Sequence, residues 1–361
     1  MNYFSCMTET LTKQIVLPLA KEFISGNSKL ARFAIGKNSE TLLLNRIVPL
    51  SGIIDDKAAP NSDYFGIPLL RSDRVPIDAL IANCSTAISP VAVLHHLDSC
   101  GFKNVVGYHD LVISAKGGLA WPQFVQRFRA EIEAHGHVWQ RMFDSMNDKE
   151  SRKTLLDVGR FRHSANPKYM QDYQVRLDQQ YFEGFMGYRN ETFVDAGGFD
   201  GDTTEIFATR YSDYKKILFF EPSEKNMVAA RRRLSGIERI NFYCIGLSDQ
   251  KGSLRFNQDQ GSASSITESS SDTIEVDTLD SLVEEPVTFI KMDLEGWEFK
   301  ALQGASGHIK RNRPKLAIAV YHDSSDFRII FEWIESLKLD YKIYLRHYTQ
   351  GWSETIMFFH P

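Results

Sequence analysis

Residues 192–204 read TFVDAGGFDGDTT, and residues 216–221 read KILFFE. The first stretch is an apolar run that empties into a glycine-rich turn, with helix-forming residues behind it. The second is an apolar run that stops at a single carboxylate. This alternation predicts two parallel strands joined by a helix, the opening unit of an open α/β sheet. In such a sheet a ligand lies outside the carboxyl ends of the strands. Gly197 and Gly198 let the backbone approach it with no Cβ in the way. Glu221, at the tip of the second strand, can accept both hydroxyls of a ribose. Its bland role is an acid at the start of the next helix, favoured by the helix dipole, and one carboxylate can do both.

The alternation continues to the end of the chain. Further strands are expected at 240–245, 287–293, 315–322, 341–346 and 355–360, and helices near 202–211, 223–234, 297–310 and 326–337. Pro222 and Ser223 mark a helix start, and Gly236 follows that helix. The last two strands are joined by HYTQGWS, a connection so short that they must run antiparallel. The stretch NQDQGSASSITESSSD, within 246–280, is too polar for a core and predicts a surface loop on the ligand side of the sheet.

Residues 1–114 read as a smaller Rossmann-like α/β domain, with strands at 32–35, 50–54, 79–83 and 104–107 and a helix at 90–97 capped by Ser89. Asp55 and Asp56 after the second strand imitate a dinucleotide-binding half. The turn after the first strand, GKNSET, has Gly36 alone and lacks the phosphate-binding glycines. A scaffold or docking domain is expected. Residues 115–190 read as a helical connector in which Trp121, Phe124, Val125, Phe128, Ile132 and Trp139 mark one apolar face. The aromatic run 169–188 either packs over the next domain or forms a lid for it. The fold class is therefore α/β: a C-terminal seven-stranded Rossmann-like sheet over 191–361 with a terminal antiparallel hairpin, a smaller N-terminal α/β domain and a helical connector.

Composition bounds the partners. With 361 residues, a net charge of −4 and 43% hydrophobic content, the chain lacks the basic footprint of a nucleic-acid binder. Arg231, Arg232 and Arg233 form its densest basic cluster and read as a solvated helix face. Cys6, Cys84, Cys100 and Cys244 show no CxxC spacing, so neither a zinc site nor a disulfide framework is expected. Reduced thiols, the absence of a secretory signal in MNYFSCMTETLTKQ and the absence of a long apolar run lead to the expectation of a cytoplasmic protein without a membrane span. The expected partner is a small-molecule or glycan acceptor. The N-terminal and helical regions are the candidate surfaces for a homo-oligomer.

A nucleoside without phosphates needs a glycine turn and a ribose acid but no phosphate-binding helix, and S-adenosylmethionine meets that description. The segments FVDAGGFDGDTT (193–204), FFEPS (219–223), IGLSD (245–249), EVDTLDSL (275–282), FIKMDLEGWEFKALQGA (289–305) and PKLAIAVYH (314–322) together resemble the FkbM family of S-adenosylmethionine-dependent methyltransferases. SRKTLLDVGRFR (151–162) and QQYF (179–182) resemble the lead-in of its longer members. Phe199 departs from the asparagine or tyrosine that ends the turn in many members. The resemblance implies O-methyl transfer, often to sugar hydroxyls of polysaccharides, glycolipids or natural products, hence a link to polysaccharide biosynthesis. It implies a cofactor-binding set of Asp195, Gly197, Gly198, Phe199, Asp202, Thr203, Glu221, Pro222, Leu247, Ser248 and Asp293, with Asp195 near the methionine amino group and Glu221 on the ribose.

A sugar hydroxyl is a poor nucleophile, so a base or a metal must help remove its proton. The candidates are Asp293, Glu295 and His322, all at expected strand ends. On an extended chain Asp293 and Glu295 would face the same side and could share a proton or bind Mg²⁺ through oxygen. The bland reading of Glu295 and Glu298 is support of the following helix start. His347 is a further candidate acceptor contact, and Trp297 and Trp352 offer flat faces to a sugar or simply pack. Three rival readings stand beside this one: an N- or carboxyl-directed methyltransferase of the same fold, an inactive binding protein, and an oxidoreductase with NAD in the first domain.

Overall fold

The protein, seen in a computed structural model, is described over residues 17–25, 28–257, 265–266 and 273–361. The N-terminal readings on 1–16, Cys6 included, and the parts of the polar loop at 258–264 and 267–272 lie outside the described residues. The chain divides into two compact units. One comprises Met1–Phe143, Lys153–Val175 and His347–Ser353; the other comprises Asp144–Arg152, Arg176–Arg346 and Glu354–Pro361.

The first unit holds strands β1 (Arg32–Ile35), β2 (Gly52–Ile54), β3 (Asp63–Tyr64), β4 (Ile67–Leu70), β5 (Leu80–Asn83) and β6 (Val105–Gly107) in the order β3-β4-β2-β1-β5-β6. All neighbours are parallel except the β3–β4 hairpin. Helices α1 (Pro18–Ile24), α2 (Ser39–Ile47), α3 (Pro90–Ser99) and α4 (Tyr108–Ser114) accompany them, and α5 (Gln123–Ser145) and α6 (Lys149–Ser164) follow. Val125, Phe128, Ile132 and Trp139 are buried along α5, as the apolar spacing predicts. Ser89 sits at the cap position of α3 but makes no side-chain capping bond there; Pro90 opens that helix instead.

Strand order reverses between β1 and β5, where a dinucleotide would sit in this architecture. Asp55 is instead ion-paired to Lys37 at 2.7 Å. Asp56 accepts from the Ser72 amide and hydroxyl and pairs with His96 at 2.9 Å. The loop after β5 is bonded along its backbone within the same unit: the Gln350 and Trp352 amides donate to the carbonyls of Ile88 and Thr86. Both acids are thus committed to protein partners.

The second unit holds the larger sheet. Its strands are β7 (Thr192–Ala196), β8 (Lys216–Phe220), β9 (Ile240–Tyr243), then β10 (Gly246–Leu247), β11 (Gly252–Asn257), β12 (Ser265–Ile266) and β13 (Thr273–Asp277), and finally β14 (Phe289–Met292), β15 (Lys315–Ala319), β16 (Lys342–His347) and β17 (Thr355–His360). The seven-stranded order is β16-β17-β15-β14-β7-β8-β9. β7, β8, β9, β14 and β15 are parallel, and β17 runs antiparallel to β15. The helices are α7 (Asp202–Arg210), α8 (Glu224–Arg233), α9 (Leu279–Leu282), α10 (Glu298–Gly304), α11 (Ser306–Asn312) and α12 (Asp326–Ser336). Ser223 caps α8 by accepting from the Asn226 amide.

Two expectations need correction. The polar stretch after β9 is not simply loop: β10, β13, β11 and β12 form a small sheet of their own, because Ile274 and Val276 alternate inward and pack with Leu254. The single helix expected over 297–310 is two. Gly304 packs so close to Ser248 that an added Cβ would lie 1.9 Å from its carbonyl oxygen. Asp280 then caps the restart by accepting from the Gly307 and His308 amides at 2.7 and 2.8 Å. The end of the aromatic run also finds its place. Phe182 and Tyr188 are buried against Phe193, Phe207 and Phe289, so this part is core. Each such ring contributes roughly 1.5–3 kcal/mol by leaving water. Among the described residues no helix is long and apolar enough to cross a membrane.

Candidate active site

Strand order in the large sheet reverses between β7 and β14, and this fixes where a ligand crevice opens. The turn leaving β7 is pressed onto the end of β14. Gly197 has φ 75°, and a Cβ there would meet the Asp293 carbonyl oxygen at 1.9 Å. At Gly198 a Cβ would meet the Phe219 ring at 2.2 Å. The Gly197 and Gly198 amides both donate to the Phe220 carbonyl at 3.0 Å, and the Phe199 amide donates to Glu221 Oε2 at 3.1 Å. Glu221 Oε1 accepts from the Ser223 amide at 2.9 Å and from Asn226 Nδ2 at 3.3 Å. A carboxylate offers about four lone-pair sites, so Glu221 braces the turn and the start of α8 and keeps acceptor capacity for a ligand. Its burial raises its pKa, opposed by the Ser223, Asn226 and Phe199 donors and by the Lys291 charge.

Asp195 is 0% exposed. Lys291 Nζ lies 3.0 Å from its Oδ1, and the Thr204 hydroxyl donates to its Oδ2 at 2.6 Å. Asp195 is thus enclosed between Lys291 and Thr204. Asp202 is exposed and Thr203 half-buried at the start of α7, where the Thr203 amide donates to Asp202 Oδ1. Leu247 and Ser248 are buried, and Trp297 Nε1 donates to Ser248 Oγ at 3.2 Å. Pro222 is half-buried behind Glu221.

Beyond the tips of β14 and β15 lies a cluster of acids around one imidazole. His322 Nε2 is 3.4 Å from both Asp293 Oδ1 and Glu295 Oε2, and Nδ1 is 3.0 Å from Glu298 Oε1. Glu298 is 1% exposed and also accepts the Leu294 and Gly296 amides, which folds the turn after β14 back on itself. Glu295 has φ 53° in that turn, so the alternation argument for Asp293 and Glu295 does not hold; the turn, not an extended strand, brings them together. Tyr181 donates to Asp293 Oδ2 at 2.5 Å, and Gln180 Nε2 donates to Glu354 Oε2 at 2.8 Å. Burial alone would push His322 down, but Glu298, Asp293 and Glu295 outweigh it and lift it to about 10. Burial pushes Glu295 up to about 7, opposed by His322 and aided by Asp293, Glu298 and Glu354. Glu354 is likewise pushed up to about 7, by burial and by Asp293.

Residues 195–343 match the family profile described as the methyltransferase FkbM domain. This stretch is a methyltransferase FkbM domain. Among solved structures, the methyltransferase FkbM from Methylobacillus flagellatus KT is similar over 99% of this chain and 98% of its own, with 22% identity and a TM-score of 0.76. At that identity the likeness shows the fold. A putative rRNA-methylase from Clostridium thermocellum (12% identity, 49% of this chain and 90% of its own, TM-score 0.35) and a putative methyltransferase from Streptococcus mutans in complex with SAH (15%, 47% and 89%, TM-score 0.32) match more weakly. No curated protein matches the chain in sequence.

The FkbM domain brings Asp293, Glu295 and His322 together, with ligand atoms within 4.8 Å of one another. The donor set does not suit Mg²⁺, which prefers oxygen in near-octahedral array. His322 Nε2 already lies 3.4 Å from a carboxylate oxygen of each acid. His347 is 1% exposed and packs with Tyr173 in the first unit; Trp352 stacks on Phe124 there. Neither joins this cluster. Lys291, Glu354, Gln180 and Tyr181 escaped the sequence reading, as did Tyr321, whose hydroxyl donates to Asp293 Oδ1 at 3.4 Å. Only Lys291 carried a signal, as a lone cation in the apolar run FIKM.

Proposed function

We propose that the FkbM domain transfers the methyl group of S-adenosylmethionine to a hydroxyl of a saccharide, a glycolipid or a related natural product. The observation that carries the proposal is the pairing of two acids across the sheet's reversal point. Glu221 keeps lone-pair capacity at the tip of β8, and Asp293 ends β14 against the Gly197 turn. Glu221 would hold the ribose, and the turn 197–199 would lie under the methionine end. Phe199, Asp202, Thr203, Pro222, Leu247 and Ser248 would complete the contacts.

When bound, S-adenosylmethionine supplies an electrophilic methyl group on a sulfonium. The chain's own task is to align the acceptor oxygen and take its proton, and alignment alone is worth several kcal/mol. His322 keeps its proton at neutral pH and so serves as the counter-charge that holds Asp293 and Glu295 together. Glu295, near 7, is then the general base. It receives the hydroxyl proton as the oxygen–carbon bond forms and the carbon–sulfur bond breaks. A site whose acids outnumber its cations disfavours a carboxylate acceptor.

The test is transfer of radiolabelled methyl from S-adenosylmethionine into a panel of oligosaccharides, amines and carboxylates. Alkali-stable label in the saccharides is expected. Label confined to amines, or released by mild alkali as a carboxyl ester would be, overturns the hydroxyl assignment.

A further inference from the structure

We infer that Lys291 is a positioning residue that joins the cofactor turn to the acid cluster; this rests on the S-adenosylmethionine reading of the same site. Lys291 lies in the middle of β14, directly opposite Asp195 on β7 in the strand register, and is 2% exposed. Its ammonium is 2.7 Å from the Gly197 carbonyl oxygen, 3.3 Å from that of Ala196 and 3.0 Å from Asp195 Oδ1. The ammonium thus donates to two carbonyls and ion-pairs with one carboxylate. Two of those acceptors are the backbone carbonyls of the turn itself.

Stability does not explain the lysine. Replacing a buried ion pair by apolar residues of similar volume is often neutral or stabilising. What an apolar residue cannot do is hold the turn carbonyls inward while facing acids on both sides. Burial pulls the Lys291 pKa down, but Asp195, Asp293 and Asp202 outweigh it and raise it, and the Lys291 charge opposes the rise at Glu221. These four carboxylates belong to β7, the end of β14, the start of α7 and the tip of β8. The ammonium also lies 5.2 Å from the centre of the Tyr181 ring, and the Tyr181 hydroxyl donates to Asp293. One cation therefore ties the turn carbonyls to the acids on either side of it.

The test uses the full chain and S-adenosylhomocysteine as the calorimetric probe. Lys291→Met alone would strand Asp195 as a buried unpaired charge, so the informative variant is Lys291→Met with Asp195→Asn. It is expected to melt cooperatively near the wild-type temperature and to bind the probe about tenfold or more weakly, the scale of lost charge-assisted hydrogen bonds. Its KM for S-adenosylmethionine should rise about tenfold or more while kcat at saturating cofactor stays within a few-fold of wild type, the split expected of lost cofactor positioning rather than lost chemistry. Thr204→Val loosens the same pair from the other side without a change of size and should weaken binding a few-fold. Wild-type affinity in the folded double variant, with KM for S-adenosylmethionine unmoved, overturns the inference. If the double variant does not fold, unchanged affinity in Thr204→Val overturns it. If the wild-type protein binds no probe at all, the proposed function fails and the role of Lys291 with it.

Discussion

Catalysis by the FkbM domain should fall with acid through a limb near pH 7, and Glu295→Gln should remove that limb. Burial and the neighbouring Asp293, Glu298 and Glu354 push Glu295 up to about 7, against the pull of His322. A general base must be ionised, so the rate follows its charged fraction: about a tenth of the plateau at pH 6, about half at pH 7 and about nine-tenths at pH 8, with one pKa unit worth 1.36 kcal/mol. His322, lifted to about 10, must keep its proton to hold the acids together, so a second limb should bring the rate down near that pH. The assay is kcat/KM for the acceptor from pH 5.5 to 10.5 at constant ionic strength, with a circular dichroism check that the fold persists. Glu295→Gln should lower the plateau by roughly 10²–10⁴-fold, the usual worth of a general base. Glu354 titrates in the same range, but Glu354→Gln should keep the lower limb. A flat profile between pH 6 and 8, or a Glu295→Gln enzyme at the wild-type rate, refutes the reasoning.

Other expectations concern the cofactor side and the metal. Glu221→Ala removes the acceptor of the Phe199, Ser223 and Asn226 donors and should weaken S-adenosylmethionine binding by an order of magnitude or more in calorimetry, with about 1.5–3 kcal/mol per charged hydrogen bond. An unchanged dissociation constant would place the ribose elsewhere. Gly197→Ala drives a Cβ to 1.9 Å from the Asp293 carbonyl oxygen at a φ of 75°, so it should lower the melting temperature and abolish binding; a variant that melts and binds as wild type would show that the turn can yield. Exhaustive chelation should leave the methyl-transfer rate unchanged, and a loss restored by Mg²⁺ would contradict the donor-set argument.

The large sheet was legible because its signal is local. Each strand is a short apolar run bounded by turn residues, and Thr192–Ala196 and Thr355–His360 fall where those runs lie. Glu221 was legible for the same reason, as a charge ending an apolar run. Local signal fails where structure depends on a distant partner. The split at Gly304 is set by Ser248, more than fifty residues away in sequence. Glu354 and Tyr181 reach the acid cluster only through the fold, and nothing in their neighbouring residues marks them. The convergence of Asp293 and Glu295 was anticipated on the wrong geometry: the left-handed turn at Glu295 and Gly296, held by Glu298, does what an extended strand was expected to do. Sequence shows Asp195 near the end of a strand, but not that a lysine on the adjacent strand lies against it.

The decisive measurement is a crystal structure of the protein grown with S-adenosylhomocysteine. The nucleoside should lie over the ends of β7 and β14 with both ribose hydroxyls on the Glu221 carboxylate. A crevice that stays empty at millimolar ligand, or a ribose bound away from Glu221, would contradict the account.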